Sequence, residues 1–269
     1  MIRHPAVAGR FYPDQPSELT KQVQSFCSGV APADRHKALA CIVPHAGYRY
    51  SGHVAGAVYA RLDLPCRFLL LGPRHFPRGE PQAILSEGAW RTPLGLAEID
   101  APLAAELKKT CPALVDDQVA HRDEHALEVQ LPFLQTLVGD FRFVPIALGT
   151  HDYSALESLG EAIASVVARS TEPVLIIASS DMNHYESDQI TRVKDRMALD
   201  RVMALDARGL LEVVRREGIT MCGVGPAVSM LIAARLLGAK HVDLIRYATS
   251  GDISGDYDEV VGYAGAIVE

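Results

Sequence analysis

Val174-Leu175-Ile176-Ile177-Ala178-Ser179-Ser180-Asp181-Met182-Asn183-His184 is an aliphatic run that breaks into a polar turn carrying a histidine. Two other stretches read the same way: Cys41-Ile42-Val43-Pro44-His45-Ala46-Gly47-Tyr48 and Phe68-Leu69-Leu70-Leu71-Gly72-Pro73-Arg74-His75. Short apolar runs bounded by Pro, Gly and Asn are the pattern of buried strands in an α/β sheet. Such sheets bind ligands in the crevice beyond the carboxyl ends of their strands, so three imidazoles have a route to one crevice. A histidine that only fills a core lies more often inside a run than just past its end. His45, His75 and His184 are therefore read as parts of one functional site.

Outward from these runs the chain alternates strand and helix. A helix over 17–26 precedes the strand at 38–43, and a helix over 52–62 follows it. The strand at 67–71 leads into a loop-rich stretch, 73–93, and a helix over 101–110. After a helical stretch over 124–138 come a strand at 141–147, a helix over 153–168, and the strand at 174–178. Helices over 188–205, 207–216 and 226–237 and strands at 242–247 and 260–268 complete the pattern. Alternation of this kind implies α/β architecture: a three-layer α/β/α fold around a mixed, mostly parallel sheet. No repeat, low-complexity segment or linker interrupts it, so residues 1–269 are expected to form a single domain.

Composition narrows the classes further. With 48% hydrophobic and 22% charged residues, 269 residues can bury a substantial core. A net charge of −7 without a Lys/Arg-rich run argues against a nucleic-acid partner, because phosphate binding relies on clustered positive charge. Nowhere do about 18 apolar residues run together, and the first residues lack an apolar core, so no membrane segment is expected and the cytoplasm is the expected location. Five cysteines form an odd count without a C-x-x-C pair, and reduced thiols follow. Cys27, Cys41, Cys66 and Cys111 read as small buried hydrophobes. Cys222 differs, because Thr220-Met221-Cys222-Gly223-Val224-Gly225-Pro226 is a glycine-rich turn before an apolar helix, where a helix amino terminus would stabilise a thiolate.

His121-Arg122-Asp123-Glu124-His125 matches H-x-x-E-H, the pattern of inverted zinc proteases, in which both histidines sit four apart on one helix. Asp123 is a natural N-cap for the stretch that follows, which would leave His121 outside that helix, and Pro132 disturbs the ladder back toward Glu128. The protease reading is disfavoured. His125 and Glu128 are instead candidates for a supporting role beside the metal or substrate.

Taken in order, Pro44-His45-Ala46-Gly47-Tyr48, Gly72-Pro73-Arg74-His75, Glu124-His125-Ala126-Leu127-Glu128-Val129-Gln130-Leu131-Pro132-Phe133, Ser179-Ser180-Asp181-Met182-Asn183-His184 and Met221-Cys222-Gly223 resemble the Memo family, known in prokaryotes as component B of the AmmeMemoRadiSam system. The resemblance spans nearly the whole chain, from Arg3-His4-Pro5-Ala6-Val7-Ala8-Gly9-Arg10-Phe11-Tyr12-Pro13 to Gly262-Tyr263-Ala264. It implies a fold similar to that of class III extradiol ring-cleaving dioxygenases, which use an iron site of two histidines and one carboxylate. It does not imply their activity.

By that resemblance the metal ligands fall on His45, His75 and Cys222, with Asp181 and His184 beside them. A thiolate where the dioxygenases have a carboxylate is a softer donor, which leaves the metal open, with iron(II) or copper ahead of zinc. His184 matches the histidine that moves protons in the extradiol relatives, work that suits imidazole at neutral pH. Asp181 would orient His184 or accept a substrate proton. Two functional readings follow. One is a redox metalloenzyme, dioxygenase-like, of unknown substrate. The other is a non-catalytic binding or scaffold protein that keeps the pocket for a peptide or metal, as the link of eukaryotic members to receptor-tyrosine-kinase signalling implies; the ligand expected of the pocket is a small molecule or a peptide. A partner of radical-SAM chemistry, or another component of the AmmeMemoRadiSam system, implied by the family's usual genomic company, fits either.

Overall fold

The computed structural model describes residues 1–269, the side chain of Pro32 excepted. After β1 (Ile2–Arg3) and α1 (Pro16–Phe26) come β2 (Ala40–Val43), α2 (Tyr48–Tyr59) and β3 (Arg67–Pro73). The stretch read as loop-rich holds β4 (Gln82–Ile84) and β5 (Ala89–Thr92), followed by β6 (Gly95–Ile99), α3 (Ala101–Thr110), β7 (Val115–Asp116) and α4 (Gln118–Arg122). Then follow α5 (Leu131–Leu137), β8 (Arg142–Leu148), α6 (Tyr153–Ala168), β9 (Leu175–Ser179), β10 (His184–Glu186), α7 (Asp188–Met203) and α8 (Ala207–Arg216). The chain ends with α9 (Val224–Leu236), β11 (Val242–Thr249), α10 (Gly251–Ser254) and β12 (Val260–Val268).

Four helices start where the sequence puts an aspartate one residue earlier, α4 after Asp117 and three longer ones. Asp100, Asp152 and Asp206 each accept from a backbone N–H in the first turn, at 3.1, 2.9 and 2.9 Å. Each satisfies a donor that the helix itself leaves unpaired.

The sheet runs β1-β5-β6-β8-β3-β9-β2-β12-β10, with β11 paired to β12, and β4 paired to both β7 and β8. Its centre, β8-β3-β9-β2, is parallel throughout. Pro145, in a central strand, falls between the residues of β8 that pair with β6 (Arg142, Phe143) and those that pair with β4 (Ile146 to Leu148). That gap is a place where its missing N–H is tolerated.

Side chains of the central strands alternate between two cores. Leu69, Leu71, Ile42, Ile176 and Ala178 pack toward α3, α6, α8 and α9, whereas Phe68, Leu70, Val43, Leu175 and Ile177 pack with residues of α1, α2 and α5. This two-faced burial requires strands that read as continuous apolar runs, and it is the physical content of the three-layer α/β/α assignment. Truncating one of these side chains, Leu70 for example, would cost about 2–5 kcal/mol. Among the described residues no helix is long and apolar enough to cross a membrane.

Three readings of the sequence change. The segment 124–138 is not one helix: a 3₁₀ turn at Glu128–Gln130 leads into α5, where Pro132 sits in the first turn and disturbs nothing. His121 lies inside α4, capped by Asp117, and Asp123 ends that helix instead of starting the next. Of the cysteines, Cys41 and Cys111 are buried and Cys27 is half-buried, but Cys66 is exposed because it stands in the loop before β3. All five thiols are free.

Candidate metal centre

Because β3, β9 and β2 are parallel neighbours, the turns after them leave the sheet at one edge. His45 follows β2 by two residues, His75 follows β3 by two, and Asp181 follows β9 by two. The Cys222 turn closes over the end of β9. A Cβ at Gly223 would collide with the Ser179 carbonyl and the Ser180 side chain, so this approach requires glycine.

Ligand atoms of His45, His75 and His125 all lie within 4.8 Å of one another. The His75 and His125 rings stack with centroids 4.5 Å apart, and His45 stands edge-on to them at 5.2 and 5.5 Å. Two nitrogen donors at the usual ~2.0–2.1 Å from a first-row ion are roughly 3–4 Å apart, so the cluster has the dimensions of one mononuclear centre.

Hydrogen bonding fixes which nitrogen His45 presents. Tyr59 donates to Gln130 Oε1 at 2.9 Å, which orients the amide so that Nε2 donates to Pro44 O and to Ser179 Oγ, each at 2.9 Å. The Ser179 hydroxyl spends its only proton on Ala126 O at 2.7 Å. Its remaining lone pair must accept from His45 Nδ1, 2.9 Å away, so Nδ1 carries the hydrogen and Nε2 is bare. His75 is set the same way: its Nδ1 donates to Glu124 Oε1 at 2.8 Å. A partner on one ring nitrogen that leaves the other free is how proteins hold histidine ligands ready.

Electrostatics support neutral donors at two of the three positions. Burial, then the neighbouring His75, lowers His45 well below the ordinary imidazole range. Burial and His45 bring His125 to about 4. At His75 burial also acts downward, but the bond and charge of Glu124 outweigh it and the net shift is upward. Neutral imidazoles bind metal without first losing a proton.

Cys222 Sγ lies 3.1 Å from the bare His45 Nε2 and accepts from Asp181 N at 3.3 Å. The thiolate expected from a helix amino terminus is corrected. Burial first, and the Asp181 carboxylate second, push this thiol well above its usual range, and α9 starts only after the Gly223 cap. Without a cation the residue is a thiol donating toward His45.

Asp181 is buried, and its Oδ1 accepts from the backbone N–H of His45 at 2.7 Å and of Ala46 at 3.3 Å, so it clamps the His45 turn to the end of β9. Burial raises its pKa. His184 Nδ1 is buried with no partner among the described residues, and its backbone N–H donates to Thr220 Oγ1 at 2.7 Å, which ties it to the Cys222 turn. His125 stands inside the cluster, not beside it. Glu128 has its carboxylate committed elsewhere: to Arg3 at 2.7 Å, to the N–H groups of Ala6 and Val7, and to the Tyr12 hydroxyl. It locks the N-terminal segment to the interior instead of facing a substrate, because two oxygens serving four donors leave no capacity to spare.

Sequence reasoning assigned no role to Glu124, Ser179 or Gln130. Glu124 is fully buried, and besides His75 Nδ1 it accepts from the His75 and Ala126 N–H groups at 2.7 and 2.9 Å. Burial acts to raise its pKa, but these bonds and the charge of His75 hold it at about 2. Its signal was the glutamate of the H-x-x-E-H stretch. Ser179 and Gln130 stand inside motif stretches, but nothing local marked their roles, since both act through partners remote in sequence.

The sequence profile of the family described as Memo-like protein matches residues 3–267. A MEMO1 family protein of Methanopyrus kandleri is 43% identical over 99% of this chain and 99% of its own. Another, from Methanosarcina barkeri, is 42% identical over the full length of both. Among solved structures, an uncharacterized protein of Escherichia coli K12 superposes with a TM-score of 0.55 at 11% identity, covering 86% of this chain and all of that one, a likeness of fold.

Proposed function

We propose, for a chain that belongs to the Memo-like protein family, that the crevice is a mononuclear redox-metal centre serving an oxidoreductase, dioxygenase-like in its layout. The observation that carries this reading is the hydrogen-bond chain from Tyr59 to His45, together with the Glu124–His75 pair. Both turn an imidazole lone pair toward a cluster with His125, the one on His45 meeting only the Cys222 thiol, whose proton a metal would displace. A structural core has no use for two preset lone pairs at one point.

His45, His75 and His125 would hold the ion, and Cys222 would join them once its proton is displaced. Imidazole donors suit iron, copper and zinc alike, and a thiol in reach shifts preference toward copper or zinc without excluding iron; the redox role proposed here needs iron(II) or copper and so sets them ahead of zinc. When bound, the metal would supply one-electron chemistry and a Lewis acid at the mouth of the crevice. His184, with one ring nitrogen unpartnered, takes and returns a proton. Asp181 keeps the His45 turn in register, and Glu124 keeps the His75 ring from rotating.

Elemental analysis of protein purified without chelators is the test. Alanine at His45, His75, His125 or Cys222 is expected to lower metal occupancy sharply, and His184→Ala is expected to retain it. Across a catechol panel, His184→Ala should slow metal-dependent oxygen uptake by about 10²- to 10⁴-fold. Full occupancy in two of the three histidine variants would end the assignment of the centre. Metal without oxygen uptake on any substrate of the panel would end the dioxygenase-like part alone.

A further inference from the structure

A second cavity, of about 720 Å³, opens on the face where the N-terminal segment meets the turn after β3 and the short helix α4. That volume falls within the roughly 300–1,000 Å³ of small-molecule sites. Its walls come from three separate elements, and each leaves a large apolar side chain partly in water: Ile2 of β1 at 42%, Phe76 after β3 at 42% and Val119 of α4 at 47%. Folding gains nothing from three such exposures around one hollow, since each exposed apolar Å² forgoes about 25 cal/mol. Apolar side chains scattered singly over a surface need no explanation; three converging on one cavity mark a binding surface.

Positive charge is in excess around it, with Asp123 the one carboxylate among its lining residues. Arg10 donates to Ala6 O at 2.7 Å and has no carboxylate partner among the described residues. Arg122 shares the exposed Asp123 with Arg78, each at 3.3 Å, so that carboxylate is already neutralised. The floor is closed: Arg3 is spent on Glu128 and on the carbonyls of His121 and Glu124. What remains free is an apolar body with a cationic rim.

We propose that this cavity binds a carboxylic acid with an apolar body, the chain or ring lying against Ile2, Phe76 and Val119 and the carboxylate meeting Arg10. None of these residues belongs to the metal cluster, although Phe76 directly follows His75 in the chain, and the proposal does not rest on the function proposed above.

Chelator-treated full-length protein titrated with anilinonaphthalene sulfonate, an aromatic anion whose fluorescence rises on burial, and then with decanoate as competitor, tests it. The expected result is one saturable site from which decanoate displaces the dye. Both Val119→Glu and Arg10→Glu should weaken it by at least about tenfold, the first by placing a charge in the apolar wall and the second by reversing the charge that meets the acid. Unchanged melting temperatures check that these surface variants are folded. Dye binding that survives both substitutions lies elsewhere and overturns the proposal, as does the lack of a saturable site. Weakening by Val119→Glu alone overturns the carboxylate specificity.

Discussion

Glu124 governs the His75 side of the centre without being a ligand. Its two oxygens receive three N–H donors from His75 and Ala126, a set that only an ionised carboxylate can accept in full. Glu124→Gln turns one of those oxygens into a donor facing a donor, which leaves a buried N–H unpaired at a cost of about 1–3 kcal/mol. It also frees the His75 ring, and loss of such a supporting partner typically lowers metal affinity 10–100-fold. Chelator competition and thermal melts on the same variant should therefore move together. A melt shift with unchanged affinity would make Glu124 a loop anchor only. The residue stood in plain view in the sequence, yet a linear pattern does not say which backbone N–H a carboxylate will reach across 49 positions. His45 and His75 were legible because each follows an apolar run. His125 joined the cluster through a turn that no periodicity marks.

Among the elements, β10 carries an unusual residue. Its pairing with β12 shifts register between His184 and Glu186, and Tyr185 in the bulge has φ 60°. Left-handed backbone costs a non-glycine residue roughly 1–2 kcal/mol, and bulges of this kind re-aim neighbouring side chains beside functional sites. The ring recovers little by packing, since it is 73% exposed. Ordinary strand propensity would make Tyr185→Val harmless. The bulge predicts that valine, β-branched and poorly suited to this backbone, destabilises by about 1–2 kcal/mol, whereas Tyr185→Gly is neutral or stabilising. Equal denaturation midpoints for the two variants would refute the bulge as drawn. A three-residue strand of this sort was not legible in the sequence, and neither were β4 to β7, which are only two to five residues long and lack an aliphatic run. The helices at α3, α6 and α8 were legible to the residue, because an aspartate cap is a local signal.

For the molecule as a whole, alternation of strand and helix foretold the layers, but not how the two ends of the chain are tied to the crevice. At the C-terminal side that tie is Asp195 of α7, which accepts from Asn183 N at 2.8 Å, in the turn before His184, and from the Tyr247 hydroxyl of β11 at 2.7 Å. Gly262 of β12 makes the room, since a Cβ there would land on the Asp195 carboxylate. Burial raises this carboxyl to about 7, and the bonds from Tyr247 and Asn183 and the charge of Arg192 offset only part of the rise. An acid whose folded pKa exceeds its unfolded value near 3.8 holds its proton more tightly in the native state. Its contribution is therefore fully present below the unfolded value and lost as pH climbs through about 7. Stability should fall across that window, the reverse of what a paired surface aspartate gives. An asparagine in this place would keep an acceptor for Asn183 N and cannot ionise, so Asp195→Asn is expected to flatten the dependence while leaving the fold intact. Denaturant midpoints for both proteins between about pH 5 and about pH 8 measure the difference directly. A slope unchanged by the substitution would mean that Asp195 stays ionised in its buried place, with Tyr247 and Asn183 sufficient to hold the charge.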